Sequence, residues 1–167
     1  GVIKTMLEDE DTIRLLEDIQ QTLMTVMAGV AVQFNRAYKL EDTMTETLEQ
    51  EIDRLEALFE RPRRFILPGG CRLSAQIDVA RTVARRAERT LSSVELKFGA
   101  DNGAKKFLNR LADYLYVLAR YTDAQYEEAA GLSGGKHPES PECMKGSEAD
   151  SEADSEVKTE TIVQDVL

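Results

Sequence analysis

Apolar residues recur every three to four positions in four separate stretches before residue 130, and that period is the signature of amphipathic helices. In the first stretch, Leu16, Ile19, Leu23, Val26 and Val30 form one stripe. In the second, Met44, Leu48, Ile52, Leu55 and Phe59 do the same, and Thr43 with Glu46 reads as a capping box at its start. The third is expected from about Ser74 to about Leu96, with Ile77, Ala80, Val83, Ala84, Ala87, Leu91 and Val94 on its core face. Its alanines allow a neighbouring helix to come close. In the fourth, Phe107, Leu111, Tyr114, Leu118 and Tyr121 repeat at four and three. No comparable run alternates strictly, so no sheet is expected. Helices joined by short loops predict an all-α, up-and-down bundle of four to five helices.

Breaks separate these helices. Pro62 and then Leu67-Pro68-Gly69-Gly70 divide the second from the third, with Phe65 and Ile66 extended between them, read by default as core or, beside a basic helix, as the wall of a ligand pocket. Gly99 and Gly103 mark the turn before the fourth. Gly1 to Leu7 carries no cap ahead of its apolar residues and reads as if it began inside a helix. After Ala130 the composition shifts to Gly, Ser, Pro and acid, and Ser-Glu-Ala-Asp occurs twice in tandem. Residues 1–130 are therefore expected to form the bundle, and 131–167 a disordered acidic tail too poor in apolar residues to fold.

Charge narrows the function. The whole chain carries −10, yet residues 61–90 hold eight arginines against Asp78 and Glu88. A discrete basic island in an acidic protein lacks the extended footprint that nucleic acid requires, and it suits a small polyanion such as a nucleoside triphosphate. No apolar run approaches a membrane span, and no secretory leader is visible. Cys71 and Cys143 read as free thiols in a reducing compartment, so a cytoplasmic location is expected. The single histidine, His137, falls in the tail, which disfavours His/Cys zinc sites and Ser-His-Asp chemistry.

The island is centred on Val79-Ala80-Arg81-Thr82-Val83-Ala84-Arg85-Arg86-Ala87-Glu88-Arg89. At 100° per residue, Arg81, Arg85 and Glu88 fall within about 60° of one another, away from the alanines. The simple reading is a solvated face with Arg81–Glu88 and Arg85–Glu88 pairs. The sharper one is a phosphate clamp, because guanidinium forks match phosphate oxygens and a glutamate can orient them. On the fourth helix Asn109, Asp113, Tyr116 and Arg120 project together. An Asn–Asp pair at this spacing reads either as a wet face or as a place for a polar ligand or hydrated metal.

Phe65 to Gly70, Ala80 to Arg89 and Asn109 to Arg120, with Leu15 to Leu23 before them, resemble the PduO-type ATP:corrinoid adenosyltransferases, in that family's order and spacing. The resemblance covers residues 1–126. It implies a ferritin-like helical bundle assembled as a homotrimer with sites at subunit interfaces. It implies transfer of the 5′-deoxyadenosyl group of ATP to a reduced cob(I) corrinoid such as cobalamin, with release of triphosphate and with Mg2+ accompanying the ATP. By matching position, Arg81 and Arg85 hold the triphosphate, Glu88 and Asn109 lie in the nucleotide site, and Phe65 sits on the lower face of the corrin. Arg86 and Asp113 are supporting residues. No metal ligand from the protein is implied. A reductase and a cobalamin-dependent acceptor enzyme are the implied partners.

The sequence departs from that family in two places. It lacks the Thr-Gly-Asp-x-Gly segment that wraps the ATP phosphates, together with an acid that would pair with Arg81, and Asp78 stands where a histidine is common. A fragment of a longer protein, a divergent branch, and a non-catalytic module that binds or delivers a corrinoid or nucleotide each account for this pattern.

Overall fold

The computed structural model describes residues 1–32, 39–61, 65–98 and 101–131, except for the side chains of 94–98. Four helices carry the structure: α1 (Glu10–Ala31), α2 (Thr43–Glu56), α3 (Arg72–Phe98) and α4 (Asn102–Ala129), preceded by a 3-10 turn at Ile3–Met6. The expected bundle is present, and no strand occurs among the described residues. Residues 1–7 do not begin inside an α-helix. The chain makes the 3-10 turn, becomes extended at Leu7, and enters α1 through Asp9. The Asp9 carboxylate accepts the Thr12 N–H at 2.9 Å and also the Thr12 hydroxyl. These bonds, the side-chain one foremost, hold its carboxyl below the usual range.

The capping-box expectation at α2 fails. Asp42 occupies the cap and makes no side-chain cap bond, while Thr43 is already helical and its carbonyl accepts from the Thr47 hydroxyl. The helix draws its stability from Leu48 and Leu55, both almost fully buried, and from its contact with α4. Burying such a side chain contributes about 1.5–3 kcal/mol.

α4 is the centre of the bundle. Phe107, Leu108, Leu111, Ala112, Tyr114, Leu115, Val117, Leu118 and Ala119 are all buried, a pattern too wide for one stripe. One side packs on α2 and another on α3, so the helix needs apolar residues around most of its girth. α3 and α4 pack antiparallel as a helical hairpin, with Glu88 meeting Asn109 near one end and Asp78 meeting Arg120 towards the other. Asp101 caps α4 through the Gly103 N–H at 3.3 Å, and it also accepts the Leu40 N–H at 2.8 Å, strapping the end of the α1–α2 connection to the same spot.

On α3, Ile77, Ala84 and Leu91 are buried as the period predicts, but Val83 and Ala87 are exposed. With Ala80 and Ala84 they line an apolar groove of about 330 Å³, closed on its other sides by Leu16, Ile19 and Leu23 of α1 and by Leu108, Leu111 and Leu115 of α4. Val94 lies among the residues whose side chains are not described, and Cys143, His137 and the 132–167 tail lie outside the described residues. No helix among the described residues is long and apolar enough to cross a membrane.

Candidate functional site

The polar face of α3 meets α4 through one carboxylate. Glu88 accepts Arg85 Nη1 on Oε2 at 2.7 Å and Asn109 Nδ2 on Oε1 at 2.9 Å. Both of its oxygens are occupied, and its side chain is only 15% exposed. The arrangement follows from local geometry: Arg85 and Glu88 are one turn apart on α3, and the hairpin brings Asn109, in the second turn of α4, alongside. Among the described residues Arg85 has no other hydrogen-bond partner, and it is half exposed, so its remaining donors are open to solvent.

Arg81 does not pair with Glu88. Its guanidinium lies over the Tyr116 ring, 5.1 Å from the centroid, and no carboxylate stands within ion-pair distance of it among the described residues. Two further guanidiniums approach the same ring, Arg61 at 5.0 Å and Arg120 at 5.6 Å. Arg61 is balanced by Glu56 at 2.8 Å, and Arg120 by Asp78 at 2.6 Å and Asp123 at 3.1 Å. Among the described residues the ring quadrupole is the only hold on Arg81, a weak one that leaves its charge available to an anion. Arg86 is exposed.

The α4 stripe does not act as one unit. Asn109 turns to Glu88, whereas exposed Asp113 accepts Arg110 Nη1 at 3.1 Å, and Arg110 in turn meets Glu49 of α2 at 3.1 Å. The Asn109–Asp113 pair expected from i,i+4 spacing is therefore divided between two neighbours. Arg120 is no part of a wet face, being 4% exposed.

Phe65 is likewise not a core residue. Its side chain is fully exposed, and Leu67 beside it is largely so, while Ile66 is half-buried. The loop thus presents an apolar tip, and no contact joins Phe65 to Arg81, Arg85, Glu88 or Asn109. Among the described residues no group of three His, Cys, Asp or Glu side chains can hold a metal ion. Sequence reasoning missed Tyr116 as the ring that carries Arg81, and the Asp78–Arg120–Asp123 cluster. Its one signal for the cluster was that Asp78 replaces a common histidine.

These features define a helical-bundle protein with a row of arginines on α3, one of them held by a carboxylate shared with α4, and an exposed apolar loop ahead of it. The cobalamin adenosyltransferase family model matches residues 1–122, and the chain belongs to that family. It is 36% identical over 125 residues to the corrinoid adenosyltransferase PduO of Salmonella typhimurium, covering 72% of this chain and 37% of that protein. It is 33% identical over 129 residues to the corrinoid adenosyltransferase of Bacillus subtilis, covering 72% and 67%. Against human corrinoid adenosyltransferase MMAB it is 36% identical over 113 residues, covering 64% and 45%. The chain thus spans between about a third and two thirds of these relatives. Among solved structures, a phenylalanine-to-alanine variant of the PduO-type ATP:corrinoid adenosyltransferase of Lactobacillus reuteri, complexed with cobalamin and ATP, superposes with a TM-score of 0.70 at 29% identity, covering 76% of this chain and 74% of that one.

Proposed function

We propose that the chain transfers the 5′-deoxyadenosyl group of ATP to a reduced corrinoid of the cobalamin type. The cobalt(I) electron pair forms the bond to C5′, the C5′–O5′ bond breaks, and triphosphate leaves with that bond's electrons. Cobalt(I) is a strong nucleophile, so no general base is required and the protein's task is to position the reactants and to stabilise the departing charge.

The observation that carries this reading is the Glu88 carboxylate joined to both Arg85 and Asn109 across α3 and α4. Arg85, oriented by Glu88, and Arg81, left without a carboxylate, receive the triphosphate. Glu88 and Asn109 bound the nucleotide site. Mg2+ accompanies the ATP phosphates. Phe65 meets the corrin's lower face, where an apolar side chain excludes water and a lower axial ligand, which eases reduction of Co(II). Arg86 and Asp113 act in support, the latter through Arg110.

The protein works as a homotrimer with shared sites. In support, Met24 and Met27, one turn apart on α1, are both exposed and suited to burial against another copy. A reductase supplies the electrons, and a cobalamin-dependent enzyme accepts the product.

The test is direct. Purified protein given ATP, Mg2+ and chemically reduced cobalamin should generate the absorbance of the cobalt–carbon product, and Arg85→Ala should weaken ATP about ten- to a hundredfold while leaving corrinoid binding intact. Equal losses for both ligands count against the clamp. Corrinoid binding with no product from the unaltered chain makes it a binding or delivery module instead.

A further inference from the structure

Three charged side chains that the proposed reaction does not use, buried Arg120 and the partly exposed Asp78 and Asp123, lie together at the foot of the apolar loop. Arg120 Nη2 donates to Asp78 Oδ2 at 2.6 Å and stands 3.1 Å from Asp123 Oδ2. The other Asp123 oxygen, Oδ1, is buried without a hydrogen-bond partner, as is Arg120 Nε. That oxygen faces the loop. A Cβ placed on Gly70 would lie 2.8 Å from the Asp123 carboxyl carbon and closer still to Oδ1. The backbone at Gly70 therefore rests directly on the carboxylate, with room for glycine and for nothing larger.

The loop reaches that contact through Gly69, whose φ of 95° lies in the left-handed region. Just beyond, the Cys71 N–H donates to Ser74 Oγ at 3.0 Å and the Ser74 hydroxyl lies 3.0 Å from the Cys71 carbonyl, which pins the first turn of α3 around a fully buried serine. Phe65 itself is fully exposed. Its position is inherited from the backbone of 66–70, and that backbone ends on Asp123.

We propose that Asp78, Arg120 and Asp123 are positioning residues that seat the Phe65–Gly70 loop and thereby set where Phe65 stands. Buried ion clusters are often no more stabilising than apolar residues of the same volume, and their best use is to specify one geometry. Here the cluster binds α3 to α4 and leaves one carboxylate oxygen as the floor of the loop. The inference rests on the reading that Phe65 meets the corrin, but the seat can be measured without any ligand.

The experiment uses the full chain with Gly70→Ala, which forces a methyl into the carboxylate, and Asp123→Asn, which keeps shape and removes charge. Amide hydrogen exchange without ligand should accelerate about tenfold or more across residues 65–71 in both variants, with α2 unchanged. Dissociation constants for cob(II)alamin should rise about tenfold and those for ATP stay within about twofold. Unchanged loop exchange in both variants overturns the seat, and so does an equal weakening of ATP and cob(II)alamin, which is what a merely structural cluster produces. If the unaltered chain binds no cob(II)alamin, accelerated exchange still establishes the seat, and it is the reading of Phe65 that falls.

Discussion

Glu88 shows how one side chain ties a charged helix face to its neighbour. Each of its oxygens holds a different donor, one on its own helix and one on α4. A surface Arg–Glu pair at i,i+3 is worth only a few tenths of a kcal/mol. The added bond from Asn109 and the low exposure of the carboxylate are what fix the geometry. In a double-mutant cycle on ATP binding, Glu88→Ala and Asn109→Ala should couple by about 1 kcal/mol, within the range for residues in contact, and additive losses would mean that the two act separately. Phe65 is the opposite case. With no packing of its own, Phe65→Ala should change stability by less than about 0.5 kcal/mol, yet slow the Co(II)-to-Co(I) step at near-normal ATP affinity. A large drop in melting temperature would place the ring elsewhere.

At the scale of the element, α1 depends on its first turn and α4 on its girth. The Asp9 carboxyl is held below its ordinary value chiefly by the Thr12 side chain. A depressed folded-state pKa stabilises above the unfolded value near 4, and that contribution is lost as pH falls through the folded value. Asp9→Ala should therefore cost about 1 kcal/mol at neutral pH. Asp9→Asn, a good cap that does not titrate, should flatten the acid limb of melting temperature against pH. Tyr114 on α4 is fully buried, burial pushes its hydroxyl up, and the oxygen has no partner. Removing an unpaired buried hydroxyl is neutral or stabilising, so chemical denaturation should find Tyr114→Phe at least as stable as the parent, whereas Leu111→Ala in the same core should lose about 2–5 kcal/mol.

For the whole molecule, Met24 and Met27 on α1 and the groove between α1 and α3 are uncovered among the described residues. If trimers form through the α1 face, Met27→Glu should yield folded protomers in sedimentation, with the helical circular dichroism signal retained. Trimers that survive the substitution place the interface on another surface.

The four stripes were legible in the sequence because helical period is a local property, and the shared face of Arg81, Arg85 and Glu88 was legible for the same reason. Their partners were not. Asn109 reaches Glu88 from 21 residues away, on a different helix, and the packing of the two helices determines which face of α4 meets α3. Hydropathy assigns Phe65 to the core and Arg120 to solvent, and both are reversed, because the loop presents the ring outward while two carboxylates from different helices neutralise the arginine. Val83 and Ala87 followed the apolar period and still line an open groove. The sequence by itself determined the helices, their faces and the family. Tertiary structure alone decided which charges cancel and which stay available, since that depends on how close two helices come and how each is rotated, and no spacing along one chain encodes either.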